Sequence, residues 1–210
     1  MRWTVLIPAK ALPEAKSRLL PATADADAHA RLVRAIRTDT IEAAAAAAGV
    51  ARVLQVTDRP GLAGALVQRR PGLNAALEEA AEHAARHWPA DGVVALLADL
   101  PALRPQELAA ALVAAALQPR SYVPDAEGTG TTLLAARPGS SLDPAFGTGS
   151  AARHATAAVA LDAGPGLRRD VDTAADLSAA IALGVGPATA ALLAGEAVTV
   201  RSSRRCIMGR

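Results

Sequence analysis

Short apolar segments of strand length alternate with alanine-rich helical segments along the N-terminal part of this chain, and no other feature restricts the fold as much. Segments 3–9, 52–57 and 92–98 are rich in Val, Leu and Ile, as buried strands are. Segments 25–48 and 74–87 between them predict helices. Strands that alternate with helices form a mostly parallel sheet covered on both faces. We therefore expect an α/β fold whose ligands gather beyond the carboxyl ends of the strands.

The rest of the chain follows a less regular pattern. A weaker strand is predicted at 65–68 and a helix at 105–117. Beyond Tyr122 come a short strand, a Gly/Thr turn, a strand at 131–136 and a helix at 150–159. The last two helices are predicted at 173–183 and 187–193. This order predicts a mixed sheet with an antiparallel excursion that carries substrate contacts.

The length of 210 residues suits one domain with one substantial core. We expect that domain to span residues 1–200 and residues 201–210 to be a disordered tail. Hydrophobic residues make up 51% of the chain and aromatic residues only 2%. The core is therefore expected to consist of many small aliphatic contacts.

Charge and composition argue against several classes of protein. The formal net charge is +2, the arginines are scattered and aromatic residues are few, so we expect no nucleic acid partner. The longest apolar runs, such as 43–50, fall far short of the ~20 residues that a membrane span needs. Cys206 is the single cysteine, which excludes an intrachain disulfide. With no signal-peptide pattern at the N-terminus, we expect a cytoplasmic protein without membrane contact.

The loop after the first predicted strand is rich in cations. Its sequence PAKALPEAKSRL contains Lys10, Lys16 and Arg18 just beyond a buried strand, where a triphosphate needs cationic groups. A solvated charged loop explains the same residues equally well. The chain has neither the GxGxxG fingerprint nor the P-loop sequence at this point, so side chains would have to replace glycine backbones there.

Carboxylates occur at two further places. Asp99 ends the apolar segment 92–98, where it can project into a ligand crevice and bind magnesium, although it could also cap the turn before the next proline. Asp170 and Asp172 point to the same face of an extended segment and could meet one cation or two neighbouring cations. The alternative is that Asp172 or Thr173 caps the following helix, and both explanations can hold together.

Two glycine-rich turns are candidates for anion binding. Residues 128–133 read GTGTTL, and residues 146–150 read FGTGS and lead into a helix at Ser150. Free N–H groups and a hydroxyl at a helix start suit a small phosphate or carboxylate. Glycine and threonine are also ordinary turn residues. We expect His154, one turn later, to be a surface or packing residue and not a catalytic base.

Residues 71–74 read PGLN and precede a predicted helix. Asn74 could cap that helix. In a nucleotide enzyme the same turn could instead lie against a base.

Six motifs, in this order, resemble one family: PAKALPEAKSRL, PGLNAALEEA, LLADLPAL, GTGTTLL, FGTGS and DVDTAADL. The family is the guanylyltransferases that act on 2-phospho-L-lactate or phosphoenolpyruvate, within the MobA-like nucleotidyltransferase superfamily. The resemblance covers residues 5–183 and implies a single-domain Rossmann-like fold of the glycosyltransferase-A type. The sugar-nucleotide and molybdenum-cofactor branches open with a glycine-rich, arginine-containing loop that this chain lacks.

The resemblance also implies roles for individual residues. The magnesium ligands would be Asp99, Asp170 and Asp172. The contacts to the phosphorylated acid would be Thr132, Gly147 and Ser150. The triphosphate would be held by Lys10, Lys16, Ser17 and Arg18, of which Lys10, Lys16 and Arg18 count as catalytic together with Asp99. Guanine would lie near Gly72, Leu73 and Asn74.

By the same resemblance, the reaction joins GMP from GTP to a small phosphorylated three-carbon acid for coenzyme F(420) biosynthesis. Phosphoenolpyruvate is preferred as the acid because the alanine- and arginine-rich composition resembles actinobacterial family members, with 2-phospho-L-lactate and 3-phosphoglycerate left open. A transient contact with the downstream transferase of the pathway is expected. Alternatives are a MobA-like enzyme for a sugar phosphate or molybdopterin, a noncatalytic nucleotide-sensing module, and a dinucleotide oxidoreductase.

Overall fold

The computed structural model describes residues 1–9, 25–58 and 65–195. Its strands are β1 (Trp3–Pro8), β2 (Val50–Thr57), β3 (Ala65–Val67), β4 (Gly92–Leu96), β5 (Arg120–Pro124), β6 (Thr131–Ala136) and β7 (Val159–Ala160). Its helices are α1 (Ala26–Ala46), α2 (Leu73–His87), α3 (Pro105–Ala115), α4 (Ser150–His154), α5 (Pro165–Arg168), α6 (Ala174–Leu183) and α7 (Pro187–Gly195). Most elements lie close to their predicted bounds.

All seven strands belong to one sheet, in the order β3-β2-β1-β4-β6-β5-β7. β1 runs parallel to β2 and β4, and β2 runs parallel to β3. β6 is antiparallel to both β4 and β5, and β7 is parallel to β5. The prediction of a mixed, mostly parallel sheet with an antiparallel excursion is confirmed. Strand β6 is the excursion, because it returns toward the N-terminal end of β4.

Each face of the sheet has its own core. Along β1, Val5 and Ile7 pack with Leu108 of α3, whereas Leu6 packs with Leu77 of α2. Successive side chains of a strand point to opposite faces, so α3 and α2 must cover opposite sides of the sheet. The predicted three-layer arrangement is confirmed, and it leaves the strand ends open to ligands.

The C-terminal helices α6 and α7 pack near α1. Leu32 of α1 and Leu177 of α6 share a third core cluster. The buried carboxylate of Asp39 on α1 accepts the backbone N–H groups of Ala188 and Thr189, both at 2.8 Å, and so fixes the start of α7. No helix in the described ranges is long and apolar enough to cross a membrane alone, and α6 and α7 satisfy that test only as a pair bent by 114°.

Helix α4 is shorter than the sequence predicts. The predicted helix at 150–159 is wrong beyond His154, where the chain makes a tight turn in which the N–H of Thr156 reaches the carbonyl of Arg153 at 3.3 Å. Residues Val159–Ala160 then join the edge of β5 as β7. The alanines in this stretch favour a helix. Pairing with the edge strand β5 overrides that preference, because its hydrogen bonds take the place of those that an exposed helical turn would make.

Candidate functional site

The candidate site lies at the end of the sheet where β1, β3 and β4 have their carboxyl ends. β6 is antiparallel to β4 and therefore starts at this same end, where the N–H of Leu97 donates to the carbonyl of Thr132 at 2.9 Å. The cationic first loop leaves β1 here, but its candidate residues lie outside the described residues: Lys10, Lys16, Ser17 and Arg18. The other candidates lie in loops or at element starts around this end.

Asp99 lies just beyond the carboxyl end of β4 and is half-buried, with its Oδ1 atom fully covered. Its backbone carbonyl accepts the N–H of Val171 at 3.1 Å. Val171 is fully buried, whereas the flanking Asp170 and Asp172 are half-buried and exposed, respectively. The fold therefore brings the three predicted metal ligands into two adjacent chain segments.

The segment after Asp172 also performs the capping that the sequence left open. Thr173 is the N-cap of α6, and its hydroxyl accepts the N–H of Asp176 at 3.3 Å. The carboxylate of Asp176 accepts the N–H of Thr173 in return at 2.9 Å. The capping explanation therefore applies to Thr173 and not to the side chain of Asp172.

A second carboxylate group shares Asp170. Asp125, Glu127 and Asp170 each offer an oxygen within 4.8 Å of the others, so this group could hold a divalent metal ion. Asp125 also accepts the N–H groups of Thr129 and Gly130, at 2.9 and 2.7 Å, and so shapes the turn before β6. Asp125 and Glu127 were not among the predicted ligands, although two acidic residues before a Gly/Thr turn are visible in the sequence.

We call the five carboxylates at this end the acidic edge: Asp99, Asp125, Glu127, Asp170 and Asp172. Asp99 and Asp172 do not belong to the group whose oxygens lie within 4.8 Å. Arg169 offsets part of the negative charge, with its Nη1 at 2.6 Å from Glu127 and 3.5 Å from Asp176. Carboxylate oxygens suit a hard cation such as magnesium, so the donor set fits the predicted metal.

A tight turn at residues 145–149, here called the glycine turn, leads into α4. Gly147 and Gly149 have φ angles of 121° and 72°, which other residues rarely adopt. The N–H of Ser150 donates to the carbonyl of Gly147 at 3.0 Å, and Ser150 is only 2% exposed. Helix α4 has five residues, so the dipole at its start is small.

Two side chains from opposite sides hold the glycine turn. The amide of Asn74 donates to the carbonyl of Phe146 at 3.1 Å and accepts the N–H of Phe146 at 2.8 Å. The guanidinium of Arg153 donates to the carbonyl of Ala145 at 2.8 and 3.1 Å and to that of Thr148 at 2.6 Å. These residues fix the turn's peptides, which sequence spacing did not reveal.

His154 makes a third contact with the same turn. Its Nε2 accepts the N–H of Ala145 at 3.0 Å, and its Nδ1 lies 2.9 Å from the hydroxyl of Thr131. A ring nitrogen that accepts a backbone N–H carries no proton, so the imidazole is neutral and Nδ1–H faces Thr131. Burial, followed by the charges of Arg153 and Arg120, lowers the pKa of His154 from 6.5 to about 4. Of the two roles expected for His154, surface or packing, the structure shows packing, since the residue is 4% exposed.

Thr132 lies where the two glycine-rich motifs meet. It is fully buried, next to the irregular pairing between Val123 and Pro124 of β5, and its hydroxyl is 3.5 Å from the carbonyl of Val123. The N–H of Ala151 donates to the carbonyl of Thr129 at 3.1 Å and so ties α4 to the turn before β6. The fold thus brings together the segments of Thr132, Gly147 and Ser150 that sequence reasoning proposed for one anion.

The turn at residues 71–74 is the remaining candidate. The N-cap of α2 is Gly72, with φ of 92° and no side-chain cap, so the alternative that Asn74 caps the helix is wrong. Glu79 of α2 holds the preceding chain, because its carboxylate accepts the N–H groups of Arg69 and Arg70 and pairs with the Arg69 guanidinium at 2.6 Å. The hydrogen bond from the Arg69 side chain lowers the pKa of Glu79 to about 2.

Comparison with known proteins gives concordant matches. Residues 3–206 match a family described as "Guanylyl transferase CofC like". A protein of Geodermatophilus obscurus named phosphoenolpyruvate guanylyltransferase is 55% identical over 93% of this chain and 95% of its own length. A protein of the same name from Salinispora arenicola is 50% identical over 96% of this chain and 98% of its own.

The fold has a counterpart among solved structures. A nucleotide-diphospho-sugar transferase, by its description, from Desulfovibrio desulfuricans G20 superimposes with a TM-score of 0.71 at 18% identity. The match covers 96% of this chain and 98% of the other. This likeness shows the nucleotidyltransferase fold that the sequence motifs imply.

Proposed function

Because the chain belongs to the family of CofC-like guanylyl transferases, we propose that it transfers GMP from GTP to phosphoenolpyruvate and releases pyrophosphate. The observation that carries this proposal is the 50–55% identity, over more than nine-tenths of the chain, to proteins named for that activity. The product is enolpyruvyl-2-diphospho-5'-guanosine. With 2-phospho-L-lactate as acceptor, the same transfer would give lactyl-2-diphospho-5'-guanosine.

The acidic edge is proposed to bind magnesium through Asp99, Asp170 and Asp172. The hydrogen bond between the backbones of Asp99 and Val171 supports this set, because it keeps both segments side by side. When bound, magnesium would neutralise charge on the triphosphate and the leaving group. The nearby Asp125 and Glu127 add negative potential that attracts a cation.

The acceptor is proposed to bind at Thr132, Gly147 and Ser150. Each lies in a segment whose backbone is fixed by hydrogen bonds, so the shape of the turn is set before the ligand arrives. An acid with one carboxylate and one phosphate is small enough for a turn of this size. Glycine at 147 lets the ligand approach the backbone closely.

The nucleotide is proposed to bind between the first loop and the turn at 71–74. Lys10, Lys16, Ser17 and Arg18 would hold the triphosphate, and Gly72, Leu73 and Asn74 would lie near guanine. The amide of Asn74 is already engaged with Phe146. Base contacts from this turn would therefore come from the backbone of Gly72 or Leu73.

The reaction is proposed to be an in-line displacement. A phosphate oxygen of the acceptor attacks the α-phosphorus of GTP, a new P–O bond forms, and the bond to the β-phosphate oxygen breaks with release of pyrophosphate. No protein nucleophile is required, because the acceptor phosphate is already ionised at neutral pH. The chain's task is to bring two polyanions together and to offset their repulsion.

Further parts of the proposal concern the cellular setting. The product is proposed to serve coenzyme F(420) biosynthesis in the cytoplasm, with transient transfer to the next enzyme of the pathway. Single-domain organisation over residues 1–200 is proposed as well, and the tail at 201–210 lies outside the described residues.

Mass spectrometry of the products tests the function directly. The protein is incubated with magnesium, GTP and, in separate arms, phosphoenolpyruvate, 2-phospho-L-lactate or 3-phosphoglycerate, and ATP replaces GTP in a parallel series. We expect the guanylylated enolpyruvate product and pyrophosphate in equal amounts. Failure of every acid to give a guanylylated product would refute the proposal, and a product from another acid only would move the specificity to that acid.

A further inference from the structure

The conformation of the glycine turn depends on side chains from outside the turn. Two positive-φ glycines, Gly147 and Gly149, give its backbone more unfolded freedom than other residues would. Its peptides at residues 145 and 146 are instead hydrogen-bonded by side chains from outside the turn. A turn that is fixed from outside can be loosened without touching any residue that contacts the ligand.

Asn74 is the first of these outside contacts. Its amide pairs with both the N–H and the carbonyl of Phe146, at 2.8 and 3.1 Å, which is a two-point contact that sets the orientation of one peptide. Asn74 lies on the first turn of α2 and is half-buried. α2 packs against β1 and β4, so the amide is carried by a helix that is fixed to the centre of the sheet.

His154 is the second outside contact. Its two ring nitrogens bridge Ala145, the first residue of the turn, and Thr131, the neighbour of Thr132 on β6. The ring is buried and packs edge-to-face with Phe146 at 5.2 Å between centroids. One rigid side chain therefore sets the spacing between the two segments that carry Thr132 and Gly147.

We propose that Asn74 and His154 are positioning residues that preorganise the acceptor site without touching the acceptor. The inference rests on the proposed function, since it assigns the glycine turn to the phosphorylated acid. A ligand's apparent affinity falls in proportion to the fraction of molecules that hold the binding-competent conformation. Loosening the turn should therefore raise the KM for the acceptor. In the His154 variants, at a residue with no proposed GTP contact, the KM for GTP should change little.

Four variants and one control test the inference by steady-state kinetics with both substrates varied. His154→Phe keeps the ring volume but removes both hydrogen bonds, whereas His154→Gln offers an amide that can still accept the N–H of Ala145. Asn74→Leu removes both hydrogen bonds with Phe146. Asn74→Asp keeps only the side-chain oxygen that accepts the N–H of Phe146. His87→Gln is the control, because His87 is exposed on α2.

We expect His154→Phe and Asn74→Leu to raise the acceptor KM about tenfold, in keeping with the loss of one or two net hydrogen bonds. Asn74→Asp should show a smaller rise, His154→Gln should restore most of the affinity, and His87→Gln should leave both KM values unchanged. Circular dichroism and thermal unfolding identify any variant that fails to fold. If His154→Phe and Asn74→Leu do not fold, Asn74→Asp decides, because it loses the bond to the Phe146 carbonyl and an unchanged acceptor KM would then overturn the inference.

Two results would overturn the inference. One is an unchanged acceptor KM in folded His154→Phe and Asn74→Leu. The other is an equal rise of both KM values in His154→Phe, which would mean a general loss of structure. These results differ from a failure of the proposed function, in which the wild-type protein itself forms no product from any acid and the inference falls with it.

Discussion

The glycine turn and the acidic edge lie at the same end of the sheet but are stabilised in opposite ways. Hydrogen bonds from side chains to backbone groups fix the glycine turn. Two of these side chains, Asn74 and His154, carry no charge at neutral pH. The acidic edge concentrates carboxylates, with three oxygens within 4.8 Å of one another. The backbone of the glycine turn is thus fixed before any ligand binds, whereas the acidic edge gathers negative charge that a cation would offset.

This difference fits the chemistry of two anionic substrates. In the proposed acceptor site, a small anion meets a turn whose backbone is already fixed by hydrogen bonds. A triphosphate needs a cation as a bridge, and carboxylate oxygens gathered at one place suit a hard cation. We expect substitutions in the two regions to separate these roles.

The largest effect is expected in the acidic edge. Asp99→Asn and Asp172→Asn should each lower turnover more than about a hundredfold, because even partners outside the metal's direct ligands cost about 10–100-fold. Pyrophosphate release measures the activity, and circular dichroism checks the fold. Asp162→Asn, an exposed carboxylate after β7, is the matched control. Activity within a few-fold of wild type for both variants would remove these residues from the metal site.

The next largest effect is expected from a substitution that disrupts the glycine turn. Gly147→Val should raise the acceptor KM about a hundredfold, because a β-branched side chain at φ of 121° costs about 1–3 kcal/mol of backbone strain and obstructs the ligand. Gly139→Val is the control, since Gly139 has φ of 81° with open space around it, in the turn after β6. The control should lose stability but keep its KM values. Equal kinetic effects at both positions would show that strain alone is responsible.

A milder substitution next to the glycine turn distinguishes acceptor binding from GTP binding. Ser150→Ala should raise the acceptor KM about tenfold to a hundredfold, because a hydrogen bond to a charged group is worth about 1.5–3 kcal/mol. The KM for GTP should stay constant, and Ser178→Ala on the exposed side of α6 serves as the control. If the KM for GTP rises instead, the acceptor binds elsewhere.

The smallest effect concerns stability and not catalysis. The pKa of His154 falls from 6.5 to about 4 on folding, so the unfolded chain binds more protons between these values and stability drops as the pH falls below 6.5. Linkage gives a loss of about 0.7 kcal/mol between pH 7 and pH 6 for this one group. Denaturant unfolding of wild type and His154→Gln measures it. The variant should lack this part of the pH dependence, and identical slopes would mean that His154 does not stay neutral in the fold.

Some residues of the candidate site could be identified from the sequence and others could not, and individual residues show why. Asp99 was proposed as a metal ligand because a carboxylate directly after an apolar strand lies where ligands of such sheets gather, and its role stays a prediction. Asp125 and Glu127 were missed because acidic residues before a glycine turn are common, and only the approach of Asp170 from a distant segment makes them a group. For Asn74 the sequence suggested a helix cap or a contact near guanine, because both fit its local position, yet its observed partner, Phe146, is 72 residues away.

The sequence by itself determined most of the strands and helices, though not β7 or α5, and it determined the family. Apolar periodicity and motif order are properties of the sequence itself, so they can be recognised without a structure. Only the tertiary structure decided that α4 ends at His154, that Asn74 binds the glycine turn, and that His154 is a neutral bridge between two motifs. Hydrogen bonds between distant segments, and the pKa values that burial sets, depend on which chain segments meet, and no local pattern encodes that.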